Sequence, residues 1–319
     1  MLSEFDIIRR YFTRPAPGAV LGVGDDAALI KPSAGMELAI STDMLVSGQH
    51  FSADTNPREL GHKALAVNLS DMAAMGAKPR WVTLALALPT VDEKWLEEFA
   101  DGFFKLASAH QVELIGGDTT HGPLNICVHI IGEIPKGKAL RRSGAKPGDE
   151  IWVSGHLGDA AQALAHTQQR IALKANEAAD CLPALHTPTA RVELGRRLIG
   201  LARSAIDISD GLLADLGHIL ESSKVAAVIK MQDIPRSAIM EKYLSQSVAV
   251  NCLLAGGDDY ELCFTAPKAR RAKIEHVARE LGIALTRIGR IGEGEGLVVL
   301  DAKGKTVTLE TKGYDHFRN

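Results

Sequence analysis

A set of aspartates stands where carboxylates are either costly or well aimed. Asp25 and Asp26 follow Gly22 and Gly24, and Asp118 follows Leu114-Ile-Gly-Gly. Ser41, Thr42 and Asp43 close a predicted strand that begins at Glu37, while Asp207 and Asp210 flank Ile208-Ser209 ahead of a glycine and a predicted helix. Strand ends are where α/β proteins place ligands. In the predicted helix 58–75, Asp71 shares one face with Leu60, Ala64, Val67 and Met75. A carboxylate on an apolar stripe is costly unless a cation or several donors meet it. Two carboxylates about 4 Å apart repel by roughly 4 kcal/mol at an effective dielectric near 20. Acids that converge therefore need cations, and oxygen-only donors favour magnesium over zinc. Magnesium joins a few carboxylates to substrate phosphates, which points to nucleotide chemistry.

Two phosphate-binding words fail on inspection. Gly132-Glu-Ile-Pro-Lys-Gly137-Lys138-Ala139 lacks the hydroxyl of a P-loop, and Pro135 removes an N–H from the supposed cradle. Gly22-Val-Gly24-Asp-Asp-Ala27 resembles a dinucleotide fingerprint but sets two carboxylates where a pyrophosphate would rest. No zinc-protease, nucleophile-elbow or Cys–His pattern is found.

These acids must be held by ordered elements, and the chain supplies them. Ser3 caps a predicted helix over 4–11. Asn56-Pro57 opens a long helix that Gly76 closes, and helix 92–109 lies between strands 81–88 and 112–115. A strand covers 124–134, and the Lys-, Gly- and Pro-rich stretch 135–148 reads as a connection. Beyond it strands at 150–153, 225–230, 260–265 and near 286 alternate with helices at 159–166, 189–201, 212–222 and 268–281. The expectation is an α/β (α+β) chain of two domains, residues 1–137 and 148–319. A length of 319 residues, 46% hydrophobic and 24% charged, fits two folded domains and excludes a largely disordered chain. A net charge of -3 gives no field for nucleic acid, and the longest apolar run, 81–89, is too short to cross a membrane. Cys127, Cys181, Cys252 and Cys263 are scattered, so a cytoplasmic protein with reduced thiols is expected.

Longer words then become recognisable in order. They are Gly22–Ala27, Ser41-Thr-Asp43, His50-Phe51, Lys63–Ala77, Gly116-Gly-Asp-Thr-Thr120, Arg142–Asp149, Ala205–Leu212, Gly256–Phe264 and Lys312-Gly-Tyr-Asp-His-Phe317. Over nearly its whole length the chain resembles the thiamine-monophosphate kinases of the aminoimidazole-ribonucleotide-synthetase-like superfamily.

The resemblance implies a homodimer of two-domain subunits whose amino-terminal domains join sheets across the dimer, with a carboxyl-terminal α/β sandwich completing the site. It implies ATP as co-substrate, several Mg2+ ions, K+ as an accessory cation to test, and thiamine monophosphate as acceptor. Carried over, Asp26, Ser41, Thr42, Asp43, Asp71, Asp118, Asp207 and Asp210 would hold metal. Gly117, Asp118, Arg142, Ser209 and His110 would contact ATP, and His50, Asp258 and Tyr314 the thiamine phosphate. Related sequences often carry tyrosine at His110 and glutamate at Asp258, so both contacts are altered here. A selenophosphate synthetase would want a reactive cysteine near the amino end, and none precedes Cys127. A magnesium- and nucleotide-binding regulator would bind ATP without producing ADP. The implied reaction is direct in-line transfer, with no general base.

Overall fold

The protein is described here by a computed structural model covering residues 2–308 and 313–314. It divides into two units, Met1–Met72 with Ala77–Gly137, and Ala73–Gly76 with Lys138–Asn319.

The first unit is built on a four-stranded sheet of β1 (Met36–Val46), β2 (Lys78–Leu88), β3 (Glu113–His121) and β4 (Asn125–Pro135), ordered β1-β4-β2-β3. Only β2 and β3 run parallel. The turn of α1 (Glu4–Ile7) continues as a π-helix over Ile8–Phe12 rather than as one α-helix. Two long helices, α2 (Pro57–Met75) and α3 (Glu93–His110), complete the unit. Asn56 accepts the Arg58 N–H at 2.9 Å and so caps α2 behind Pro57, while Gly76 ends it at φ +71°. Asp92 caps α3 through the N–H groups of Lys94 and Trp95. The two helices cross with their backbones in contact. A Cβ on Gly61 would lie 2.1 Å from the Phe99 carbonyl oxygen, and one on Gly102 1.9 Å from that of Arg58. Leu96, Phe99, Phe103 and Ala107 form the buried face of α3. Val82, Leu84, Leu86, Ile126, Val128 and Ile130 supply the buried face of the sheet. Each large side chain taken from water there contributes about 1.5–3 kcal/mol.

The second unit holds a six-stranded sheet of β5 (Glu150–Ser154), β6 (Ser204–Asp207), β7 (Ala226–Lys230), β8 (Leu262–Ala266), β9 (Leu285–Gly292) and β10 (Gly296–Leu300). Their order is β10-β7-β9-β5-β8-β6, and only β10 and β7 are parallel. β5, β6 and β8 are buried along their whole length. Around them lie α4 (Asp159–Thr167), α5 (Ala175–His186), α6 (Val192–Leu198), α7 (Leu212–Ser223), α8 (Ala238–Tyr243), α9 (Ser247–Ala255) and α10 (Arg271–Leu281). α7 packs on β6, β8 and β10.

Several expectations need correction. β1 runs three residues past Asp43, so Thr42 and Asp43 lie inside a strand, opposite His129 and Val128, and not at its end. β3 likewise runs through Asp118 to His121. Both strands outlast their apolar pattern because backbone pairing with β4 and β2 continues past it. α2 is buried on nearly every side, not along one stripe, with Leu65, Leu69 and Ala73 as covered as Leu60 and Ala64. α5, β6, α8, α9 and β10 were not foreseen.

Candidate functional site

In the first unit, β1 and α2 bring Ser41 and Asp71 together, the Ser41 hydroxyl donating to the carboxylate. Asp43, two residues along β1, shares the helix-facing side of the strand with Ser41. Asp43 also lies close enough to Cys127 that, with burial as the larger cause, its charge pushes the thiol pKa up. Thr42 points to the other face of the sheet, where its hydroxyl meets His129 Nδ1. His50 folds back on its own turn. Its Nδ1 accepts the Val46 N–H at 3.1 Å, which in the neutral ring places the proton on Nε2. Asp26 lies exposed on a loop whose ends bridge at Leu21 and Leu29.

Gly117 and Asp118 are on β3, at the opposite edge of the sheet from β1. Gly117 has φ +148°, and a Cβ there would lie 1.9 Å from the Leu84 carbonyl oxygen, so only glycine fits. Asp118 pairs with Ala85 on the exposed side. Three strand spacings of about 4.8 Å put it roughly 14 Å from β1. One chain therefore does not bring Asp118 to Thr42 and Asp43. His110 ends α3 half-buried, and burial first, then the neighbouring His62, lowers its pKa.

In the second unit one turn gathers most of the expected residues. Ile208, Ser209, Asp210 and Gly211 link β6, which ends at the buried Asp207, to α7. The Asp258 N–H donates to the Ser209 carbonyl at 2.9 Å, and the Tyr314 N–H to the Asp210 carbonyl at 3.1 Å. Asp258, at φ +70°, and Tyr260, at φ +50°, both take the left-handed conformation that glycine prefers. The Tyr260 hydroxyl donates to Asp258 at 2.9 Å. Non-glycine residues keep such backbone only where surroundings over-determine it, which concentrates at functional sites. Gly257 permits the approach, since a Cβ there would lie 2.3 Å from the Ser209 carbonyl oxygen.

Arg142 is not brought to this turn. Its carbonyl accepts from Ser223 at the carboxyl end of α7. Twelve residues at about 1.5 Å each separate that end from Gly211 by roughly 18 Å. Of the closing motif, Gly313 and Tyr314 are placed, whereas Lys312, Asp315, His316 and Phe317 lie outside the described residues.

Three residues of this loop system went unforeseen. Asp215, in the first turn of α7, accepts the N–H groups of Ser209, Asp210 and Gly211 at 3.0, 3.1 and 3.1 Å. Burial, and then the charges of Asp207 and Asp210, raise its pKa to about 8. Glu261 is held by Arg191 and Ser154. Asp259 accepts the Gly158 N–H through both oxygens, at 2.9 and 3.1 Å. A polar residue on an otherwise apolar helical face would have flagged Asp215; nothing local flags Arg191.

Among the described residues no three His, Cys, Asp or Glu side chains form a group that could hold a metal. The four cysteines are free thiols, and no described helix is long and apolar enough to cross a membrane.

Comparison with known proteins fits this arrangement of two sheets and acid-bearing turns. Residues 24–134 match the family described as AIR synthase related protein, N-terminal domain, and residues 146–302 its C-terminal domain. The thiamine-monophosphate kinase of Escherichia coli is 48% identical over 320 residues, covering 99% of this chain and 98% of its own. The crystal structure of the thiamine-monophosphate kinase from Stenotrophomonas maltophilia is 48% identical with a TM-score of 0.85, covering 94% and 95%. AaThiL complexed with AMPPCP and TMP is 30% identical with a TM-score of 0.78, covering 98% and 96%. With both halves matched and identity spread over the full length, the chain belongs to the AIR synthase-related family and, within it, to the thiamine-monophosphate kinases.

Proposed function

We propose that this chain transfers the γ-phosphoryl group of ATP to a phosphate oxygen of thiamine monophosphate, giving thiamine diphosphate. Kinship with thiamine-monophosphate kinases over 99% of the chain supports the reaction. AaThiL, a relative at 30% identity, is complexed with AMPPCP and TMP, an ATP analogue and the acceptor. The observation that carries the reading is the 209–211 turn. It bears Ser209 and Asp210 and grips, through its carbonyls, the segments that present Asp258 and Tyr314. Groups assigned to the nucleotide and to the acceptor thus hang on one rigid frame.

A phosphomonoester has its second pKa near 6, so the acceptor is anionic at neutral pH and needs no general base. The work left to the protein is orientation. His50 offers an Nε2–H to a phosphate oxygen, Asp258 and Tyr314 address the acceptor, and Ser209, Gly117, Arg142 and His110 address ATP. Asp26, Ser41, Thr42, Asp43, Asp71 and Asp118 in the first unit, and Asp207 and Asp210 in the second, are the proposed magnesium donors. Every donor is oxygen, which suits magnesium, an ion that completes its shell with substrate phosphates and water. When bound, magnesium screens the two polyanions and stabilises the spreading charge.

The open face of the first unit's sheet supports a homodimer. Leu38, Ile40 and Met44 on β1 are 37%, 57% and 53% exposed. Asp118 shares this open face with Thr42 and lies far from it within one copy, so pairing of two such faces would let Asp118 of one copy meet the other. Free thiols and the absence of a long apolar helix among the described residues suit a cytoplasmic enzyme.

The test mixes purified protein, ATP, Mg2+ and thiamine monophosphate and measures thiamine diphosphate by fluorescence after oxidation, with ADP in parallel. One ADP per thiamine diphosphate is expected, and exchanging K+ for Na+ in the same assay reads the monovalent ion. ADP formed without thiamine diphosphate, or neither product, rules the reaction out.

A further inference from the structure

We propose that Asp215 is a positioning residue of this reaction: from the first turn of α7 its carboxyl group accepts the three N–H groups of the 209–211 turn and so fixes that turn. The inference rests on the kinase reading for its kinetic part. A helix amino terminus preceded by a glycine turn is ordinarily a place for a ligand's phosphate, because its N–H groups point outward and the dipole favours negative charge. Here the N–H groups of the turn just ahead of that terminus are taken up from within the protein. The N–H groups of Ser209, Asp210 and Gly211 converge on one oxygen of Asp215, at 3.0, 3.1 and 3.1 Å. Asp215 is only 2% exposed, so a solvent anion does not compete with it.

The carbonyls of the turn are committed in the other direction, to the N–H groups of Asp258 and Tyr314. Its backbone is also boxed in. Gly211 has φ +114° with Ala255 backbone 2.6 Å from where a Cβ would sit, and Gly257 lies against the Ser209 carbonyl. The peptide groups of this turn are therefore satisfied from within the protein. Ligand recognition falls to the side chains of Ser209 and Asp210, whose direction depends on the three N–H groups that Asp215 holds. Without the carboxylate those N–H groups would be left to water or to a misplaced phosphate, and the turn would lose its register with Asp258 and Tyr314.

The test compares D215A and D215N with the unaltered protein in two readouts. Amide hydrogen exchange of Ser209, Asp210 and Gly211, measured without any substrate, should show protection in the unaltered protein and in D215N, whose amide oxygen still accepts. In D215A that protection should be lost. In the kinase assay D215A should lower kcat/KM by about 100-fold, with KM for MgATP raised, and D215N by about 10-fold or less, the range seen when supporting partners of ligand-binding groups are removed. A merely structural loss would reduce the folded fraction and leave KM unchanged. Equal exchange of the three amides in D215A and the unaltered protein overturns the proposal, as does an unchanged KM in D215A. If D215A does not fold, D215N decides alone: fast exchange of those amides in a D215N that melts like the unaltered protein overturns it. Since exchange is read without substrate, a failure of the kinase reaction leaves that arm standing.

Discussion

Replacing Arg191 by methionine should destabilise the second unit and weaken binding of the acceptor. The Glu261 carboxylate, 5% exposed, receives the Arg191 Nε–H at 2.7 Å, a second bond from the same guanidinium, and the Ser154 hydroxyl. A Cβ on Gly155 would collide with this carboxylate, so the backbone closes over it. Burial alone would lower the guanidinium pKa of Arg191, but the hydrogen bond and charge of Glu261 more than reverse it, and the group is raised. In R191M the carboxylate keeps one neutral donor in a site that water hardly reaches. Breaking a buried pair by removing one partner costs about 3–5 kcal/mol. The Arg191 side chain is 21% exposed, so some water can replace it, and the lower end, about 3 kcal/mol, is expected. For a unit of this size each kcal/mol shifts Tm by about 2–4 °C, which gives a loss of roughly 6–12 °C by calorimetry.

The same carboxylate lies three residues after Asp258, and the Glu261 carbonyl accepts the Ile208 N–H at 2.8 Å. Loosening it should raise KM for thiamine monophosphate more than KM for ATP. The double variant R191M/E261M removes both charges and should recover most of the lost stability, because the cost lies in the orphaned carboxylate and not in the lost attraction. An R191M protein that melts within about 1 °C of the unaltered one refutes the reasoning. A double variant that is less stable than R191M refutes it equally.

D71N should lower turnover by about 100- to 1000-fold, the usual loss for one electrostatic contact to a transferring group, with Tm held. ADP release and a melting curve on one preparation check this, and near-normal turnover removes Asp71 from the metal site. I40D/M44D puts charge on the open sheet face and should convert dimer to monomer in sedimentation. A single unchanged species argues against pairing through that face. Glu177 accepts from Lys242, Tyr243 and the Lys174 N–H, and these bonds lower its pKa from 4.5 to about 2. The folded state therefore binds fewer protons than the unfolded one in this window. The stability Glu177 contributes is complete above pH 4.5 and is lost as pH falls toward 2. Urea unfolding across that range should show a flatter pH dependence for E177Q than for the unaltered chain.

Much of the scaffold was legible because local signals agreed with one another. Asn56-Pro57 and Gly76 bracket α2, and Asp92 opens α3 ahead of Leu96, Phe99 and Phe103. The discarded P-loop word proves to be the end of β4 and a turn, with no helix after it. The elements missed are those whose own signals are weak or contrary. α5 carries Pro183 inside it, and α9 is apolar and rich in valine, a composition that reads equally well as strand. Short words that recur in the two halves carry no shared structure. Leu69-Ser70-Asp71 lies in a helix, whereas Ile208-Ser209-Asp210 runs from a strand into a turn. Gly116-Gly117-Asp118 is strand, but Gly256-Gly257-Asp258 is loop.

The candidate site was legible as a list of acids and illegible as a geometry, and strand order explains the difference. Asp43 and Asp118 sit on β1 and β3, which look alike in sequence as short runs ending in a carboxylate. Their separation depends on β4 and β2 inserting between them, a pairing decided by antiparallel register far along the chain. Asp215 shows the converse. It is an acid on the buried face of α7, the same signal that singled out Asp71 on α2, yet its three partners are backbone N–H groups of the preceding turn. A buried carboxylate in an apolar helix thus marks a demand for positive charge or donors. Whether metal or peptide meets that demand is set by the groups that face the carboxyl group. Beside Asp71 it is the side chain of another candidate ligand, Ser41, which makes Asp71 and not Asp215 the metal candidate.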